Sequence, residues 1–222
     1  MERKIITTSD GSTTIQLVEW NEQYHSIHGA IQEAYHVFIK NGLSLFKNKE
    51  IQLLEIGYGT GLNAIITAIE SDKYQLKINY CGVEAFPVAM EEIVQLNYID
   101  QLNAPNFQDQ FMKMHSSAWE NEIAISDNFK LTKQKKEFQQ INQSNFFDLI
   151  YFDAFGARVQ PELWTEDIFQ IMYKALKNNG VLVTYCAKGS VRRAMQAVGF
   201  FVERLPGPPG KREMLRATKK LS

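Results

Sequence analysis

The chain has 222 residues, 45% hydrophobic and 22% charged, with a net charge of −1. That is enough for one well-buried α/β domain and too little for two full ones, so a single domain over 1–222 is expected. No run approaches the roughly eighteen apolar residues of a membrane span, and the opening MERKIITTSDGSTT lacks the apolar stretch of a secretory signal.

In chain order, STTIQLVEW reads as a strand, and Ile31, Ala34, Tyr35 and Phe38 form a helix stopped near Gly42. Together, residues 1–49 make an N-terminal extension expected to pack on the same core. IQLLEI (51–56) is the first core strand. It runs into Gly57, Gly59 and Gly61, after which Leu62, Ile65, Ile66 and Ile69 keep helical spacing. INYCGVE (78–84) follows as a second strand, with Pro87 well placed at a helix start. The stretch MHSSAWENEIAISDNF (114–129) is polar and reads as an irregular surface insertion, with His115 exposed. Next come FKLTKQ (129–134) and FDLIYF (147–152), then a helix whose apolar stripe is Trp164, Ile168, Ile171 and Ala175. Trp164 therefore reads chiefly as core, with an aromatic face for an unstacked base as the other reading. GVLVTY (180–185), GFFVERL (199–205) and REMLRAT (212–218) complete the series.

Strands alternating with helices predict a mostly parallel sheet covered on both faces. The last two strands are joined only by PGPPGK, too short for a crossover helix, so they should pair as an antiparallel hairpin. Cys81 and Cys186 lie in strand-like runs without CxxC spacing and read as buried free thiols in a reducing compartment, which points to the cytoplasm. His25 and His28 form an HxxH without a third ligand at convincing spacing, so no metal site is expected.

Charge is uneven along the chain. From Lys188 to Ser222 nine Lys and Arg face two acids, a net of +7 that leaves −8 on the rest. A basic end of this kind suits an anionic partner such as RNA, or simply keeps the surface soluble.

Three features carry chemistry. LLEIGYGTGLN sets Glu55, Gly57, Gly59 and Gly61 between a strand and a helix start, where the backbone can turn tightly and approach a ligand. The third glycine of a dinucleotide fingerprint would fall at position 62, which is Leu62. Glu84 ends the second strand, where a carboxylate can accept from both ribose hydroxyls, and Glu137 follows the third. Asp153 ends the fourth strand, beside the first, where ligands of such sheets sit. An acid there can bind an ammonium, orient it and take its proton.

The E-x-GxGxG pattern resembles motif I of the class I S-adenosylmethionine-dependent methyltransferases, a Rossmann-like fold. More specifically, DGSTT, YHSIHGA and EAYHVFI, EIGYGTGLN, FDAFGARVQPELW, SVRRAMQAVGF and GPPGKREML together resemble the MnmC/MnmD-type tRNA methyltransferases, over nearly the whole chain. That family completes 5-methylaminomethyl-(2-thio)uridine at the wobble position. The resemblance implies transfer of a methyl group from S-adenosylmethionine to the primary amine of 5-aminomethyluridine in tRNA.

It further implies a stand-alone methyltransferase, without the FAD-dependent oxidase domain of bifunctional members, and a separate enzyme that makes the aminomethyl group. Asp153 would be catalytic. Glu55, Gly57, Gly59, Gly61, Glu84 and Glu137 would hold the cofactor. Phe155 would face the base, and Lys188, Arg192, Arg193, Lys211 and Arg212 would contact phosphates. The chain departs from the family in having Gly156-Ala157 where many members have Ala-Pro, and Lys136-Glu137 in place of Gly-Asp. Transfer to another amine, on a small molecule or a protein, and a non-catalytic methyltransferase-fold subunit are the alternative readings.

Overall fold

In the computed structural model, residues 2–220 are described. The strands in chain order are β1 (Arg3–Thr7), β2 (Thr13–Leu17), β3 (Glu22–Gln23), β4 (Lys49–Ile56), β5 (Leu76–Val83), β6 (Glu122–Ser126), β7 (Phe129–Gln134), β8 (Phe147–Phe152), β9 (Leu176–Thr184), β10 (Phe201–Pro206) and β11 (Glu213–Thr218). The helices are α1 (Ala30–Ala34), α2 (Leu62–Ser71), α3 (Met90–Ile93), α4 (Tyr98–Gln101), α5 (Gln108–Ser116), α6 (Glu166–Ala175) and α7 (Gly189–Ala197).

Eight strands form one sheet in the order β10-β11-β9-β8-β4-β5-β7-β6. The five central strands, β9, β8, β4, β5 and β7, run parallel. At one end β11 is antiparallel to β9 and forms the expected hairpin with β10, Phe201 facing Thr218 and Pro206 facing Glu213. This is the class I methyltransferase arrangement, and its strand order reverses between β4 and β8.

Alternation builds the core on both faces at once. Ile51, Leu53, Leu149, Tyr151, Val181 and Val183 point to one face, packed by α1, α2 and α5 residues; Leu54, Ile56, Ile150, Phe152 and Leu182 point to the other, packed by α6 and α7. A period of two with both sets apolar is what a parallel sheet buried on both sides demands. Trp164 lies there as expected, 5% exposed, edge-on to Phe152, but in a short 3₁₀ turn ahead of α6.

The N-terminal segment corrects the sequence reading in detail. Besides the expected strand β2, it contains β1 and the two-residue β3, and these make a separate three-stranded antiparallel sheet. α1 continues into a π-helical turn over Tyr35–Lys40 before Gly42. Pro87 precedes rather than starts a helix, since α3 begins at Met90. The stretch expected to be irregular holds the end of α5 and strand β6, which pairs antiparallel with β7 at the sheet edge. Cys81 and Cys186 are both free, the first partly buried and the second buried. Among the described residues no helix is long and apolar enough to cross a membrane.

Candidate active site

The ends of β4 and β8 are joined directly: the Asp153 amide donates to the Ile56 carbonyl at 2.9 Å. This bond brings the glycine loop and the Asp153 loop into one place. Gly57 has φ +86°, and a Cβ built on it would stand 2.7 Å from the Asp153 carbonyl oxygen. Only glycine allows both the left-handed turn and this approach. The Gly57 and Tyr58 amides both donate to the Val83 carbonyl at 3.0 Å, tying the loop to β5 as well.

A cavity of about 680 Å³ opens over this junction. That is within the size range of sites for nucleoside-sized ligands. Its walls include Gly57, Gly59, Glu84, Phe86 and Glu137, with Gly59 and Phe86 gathered around the Glu84 carboxylate, and Trp20, Tyr24, Phe155 and Tyr185, the first three joined by ring contacts. Glu84 accepts from the Gly59 amide at 3.0 Å through Oε2 and from the Phe86 amide at 2.9 Å through Oε1. Each carboxylate oxygen keeps a lone pair for a ligand hydroxyl. Burial nonetheless pushes its carboxyl up, against the lowering effect of those amides. Glu137 is exposed and on the wall, its amide capped by Gln140 Oε1 at 2.9 Å; no ion pair ties it to the neighbouring lysines among the described residues.

Glu55 is a correction. It is 1% exposed, lies beneath the loop rather than on the cavity wall, and accepts from Asn63 Nδ2 at 2.9 Å. The same Nδ2 donates to Asp153 Oδ2 at 2.8 Å. One amide group thus uses both its hydrogens to join two carboxyls, while Asn63 Oδ1 has no hydrogen-bond partner among the described residues and the Tyr80 hydroxyl is directed at Glu55. Burial pushes the Glu55 carboxyl well above the usual range. Burial also raises Asp153, to about 7, with Glu33 adding to the rise and Asn63 and Lys211 opposing it. Desolvation therefore outweighs the hydrogen bond, and Asp153 sits near the pH at which a carboxylate can both give and take a proton.

The backbone after Asp153 is held by two side chains. Tyr185 donates its hydroxyl to the Ala154 carbonyl at 2.9 Å, and Trp164 Nε1 donates to the Phe155 carbonyl at 2.8 Å. Phe155 is left facing the cavity, edge-on to Tyr24 at 4.9 Å and to Trp20 at 6.0 Å between ring centres.

The five cations expected to contact phosphate do not line the cavity. Lys188 N-caps α7 and is exposed, as are Arg193 and Arg212, whereas Arg192 is partly buried with Nε unpartnered. Lys211 is a correction. It is turned inward, ion-paired with Glu33, and its Nζ lies 4.0 Å from the Tyr185 ring centre. Much of the remaining basic segment is also engaged: Arg216 with Glu203, Arg204 with Glu213, and Lys219 with Asn145 and the Leu176 carbonyl.

Replacing Lys211 by Met leaves Glu33 unpaired and costs about 1–3 kcal/mol, less than a fully enclosed pair because Lys211 keeps some water. The same change removes a positive charge that holds Asp153 down, so the pH midpoint of activity moves upward. Chemical denaturation and a pH–rate profile check the two effects.

His115 corrects a further expectation. It is partly buried under the loop, where a Cβ on Gly61 would meet its Nε2 at 2.8 Å, and burial lowers its pKa to about 3. His25 bonds Thr14 Oγ1 at 3.0 Å, and His28 stands against Gly210. Among the described residues no group of three or more His, Cys, Asp or Glu could hold a metal ion.

Asn63, Trp20, Tyr24 and Tyr185 were not singled out from the sequence. Asn63 did carry a signal. It and Thr67 are polar residues one turn apart in a helix that is otherwise apolar from Leu62 to Ile69, and they are joined by a 2.6 Å bond from Thr67 Oγ1 to the Asn63 carbonyl.

A family model described as S-adenosyl-L-methionine-dependent methyltransferase matches residues 92–220. The chain is 26% identical over 90% of its length to the tRNA 5-methylaminomethyl-2-thiouridine biosynthesis bifunctional protein MnmC of Actinobacillus pleuropneumoniae, and 27% identical over 94% to that of Cupriavidus metallidurans. It spans about a third of these relatives' length, 33% in both cases. Among solved structures it is similar to MNMC2 from Aquifex aeolicus, with TM-score 0.76, 23% identity, and coverage of 100% of this chain and 72% of that one. The fold is shared with spermidine synthase from Thermotoga maritima, at TM-score 0.60 and 15% identity over 99% of this chain and 69% of that one.

Proposed function

The chain belongs to the S-adenosyl-L-methionine-dependent methyltransferase family, and from that premise we propose that it N-methylates the 5-aminomethyl group of the wobble uridine in tRNA. The product is 5-methylaminomethyl-(2-thio)uridine. The observation that carries this reading is Asp153, on the cavity wall, with Oδ2 fixed by Asn63 and its carboxyl raised to about 7. The names of the MnmC relatives supply the substrate. We read 1–222 as one methyltransferase unit of the cytoplasm, fed by a separate enzyme that makes the aminomethyl group.

The residues present suit the cofactor. The Gly57–Gly59 turn on the cavity wall would hold the middle of the molecule, Glu84 would offer two acceptors to the ribose, and Glu137 would lie toward the base. When bound, S-adenosylmethionine supplies an electrophilic methyl group, whose carbon–sulfur bond breaks as the nitrogen–carbon bond forms.

The protein's part is positioning and proton handling. A primary alkylamine is mostly an ammonium at neutral pH and has no lone pair to attack with. Asp153, ionised, binds the ammonium through Oδ1, since Oδ2 is taken by Asn63. It accepts one proton, frees the lone pair and aims the nitrogen. After transfer the secondary amine keeps its two remaining hydrogens as an ammonium, so one proton in all passes to Asp153. Holding the nucleophile in line at about 3–3.5 Å can supply roughly 7–11 kcal/mol of the barrier.

Asn63 is a positioning residue in this scheme. Asn63→Leu removes the donor to both carboxyls, lowers kcat roughly 10–100-fold through loss of aim, and shifts the pH midpoint above that of the wild type. A pH–rate profile alongside cofactor titration checks it, because mere loosening of the fold would weaken cofactor binding without moving the midpoint.

The deciding assay uses labelled S-adenosylmethionine with tRNA carrying 5-aminomethyluridine, against unmodified tRNA. Label is expected only in the first; equal label in both, or none in either, sinks the proposal. Transfer to a free small amine is the second reading. It draws on the internal pairing of Lys211, Arg204, Arg216 and Lys219, which leaves fewer cations for phosphate.

A further inference from the structure

The half of the cavity wall that carries Trp20, Tyr24 and Phe155 has its own architecture. Trp20 lies in the turn between β2 and β3, Tyr24 just after β3, and Phe155 in the loop after β8. All three line the cavity. Tyr24 also lies against the glycine loop, where a Cβ on Gly59 would meet its ring at 3.1 Å, so it divides this half from the cofactor half.

Arg158 fixes the arrangement from outside. Its Nη2 donates to the Trp20 carbonyl at 3.2 Å, the Asn21 carbonyl at 3.3 Å and Glu22 Oε2 at 2.8 Å. The Asp153 loop and the Trp20 turn, 138 residues apart in sequence at the Arg158–Trp20 bond, are thereby held as one wall. Two carboxamides, of Gln23 and Gln160, open on the same cavity, and neither side chain is hydrogen-bonded within the described protein.

Flat aromatic faces with free carboxamides suit a planar heterocycle that carries adjacent donor and acceptor groups. A carboxamide accepts through its oxygen and donates through its nitrogen, which complements the N3–H and C4=O of uracil. An unstacked base also gains from aromatic neighbours. Among the described residues that line the cavity, Arg3 is the one Lys or Arg, 5.9 Å from the Tyr24 ring centre, and Glu162 adds a carboxylate near Gln160, which sets this half apart from a phosphate site.

Resting on the reading of a wobble-uridine amine as substrate, we infer that this half is a uracil-binding subsite. Trp20 and Phe155 flank the base, and Gln23 and Gln160 read its imide edge. The three-stranded N-terminal sheet is then part of substrate recognition, and the exocyclic amine on C5 points toward Asp153.

The test uses the full chain and an anticodon stem–loop bearing 5-aminomethyluridine, beside the same stem–loop with that uracil methylated at N3. The wild type should lose at least about tenfold in kcat/KM on N3 methylation, and the ratio should fall to within about threefold in the Gln23→Ala/Gln160→Ala double variant. Trp20→Ala should raise KM for the stem–loop at least about tenfold with the Kd for S-adenosylmethionine unchanged, and Trp20→Phe should restore it. Wild-type indifference to N3 methylation, or an unchanged KM in Trp20→Ala, overturns the subsite while leaving the proposed reaction standing. A wild type that methylates neither stem–loop overturns both.

Discussion

Replacing Asp153 by Asn lowers kcat for methyl transfer by about 10²–10⁴-fold, while the Kd for S-adenosylmethionine stays within about threefold of the wild type. Asparagine keeps the shape and can still accept from Asn63 Nδ2, so the cavity survives; what is lost is the negative charge that binds the ammonium and the site that takes its proton. Loss of cofactor binding in proportion to activity would instead move Asp153 to a cofactor role. In the wild type, kcat/KM should rise with pH through a single ionisation near 7, the value to which burial raises this carboxyl. A profile flat from pH 5 to 8 would contradict a proton-accepting Asp153.

The same variant should gain stability. Below its ordinary value of 3.8, Asp153 is protonated in folded and unfolded chains alike and makes no difference. As pH rises from there to about 7, the unfolded chain gives up the proton first, so folding stability falls; above about 7 the loss is complete. Asp153→Asn removes a penalty of up to about 4 kcal/mol, seen at pH 8 and absent near pH 4. Denaturant titrations at the two pH values separate this from a change in packing, which would not depend on pH. A buried acid that lowers stability where it functions is consistent with a site kept for chemistry.

Gly57→Ala should be the most damaging change to cofactor binding, raising its Kd at least about 100-fold and lowering stability by about 2–4 kcal/mol. The new methyl group meets the Asp153 carbonyl oxygen at 2.7 Å, and that oxygen belongs to backbone pinned by the 2.9 Å bond from the Asp153 amide to Ile56. Neither side can yield without moving β4 or β8. The left-handed φ of +86° adds strain of its own. Calorimetric titration with S-adenosylmethionine and thermal unfolding read the two effects. An alanine variant that binds normally would mean the loop relaxes, and the close approach would lose its importance.

Much of this was legible in the sequence because it is local. FDLIYF and FKLTKQ became strands with the expected bounds, the first a short apolar run buried on both faces of the sheet and the second alternating between buried and exposed positions. PGPPGK dictated a hairpin because six residues cannot cross a sheet. The glycine spacing and the strand-end acids Glu84 and Asp153 were visible for the same reason: each reports its own backbone. β6 was not legible, because NEIAIS is a polar edge strand with little to bury and forms only by pairing with β7. Nor was the inward turn of His115 and Lys211, whose polarity suggests solvent until Gly61 and Glu33 are brought against them.

By itself, then, the sequence determined the five parallel strands and the closing hairpin, the glycine loop, and the presence of an acid where a parallel sheet reverses. Those follow from periodicity, chain length and the freedom of glycine, all properties of short segments. Only the tertiary structure decided that Glu55 supports Asn63 rather than facing the cavity, and that Asn63 holds Asp153. It also decided that Arg158 binds the Trp20 turn from 138 residues away, and that Lys211 faces Glu33. All but the Glu55–Asn63 pair, eight residues apart, join residues distant in sequence, and each depends on desolvation and hydrogen-bond geometry that exist only once the sheet has closed around them.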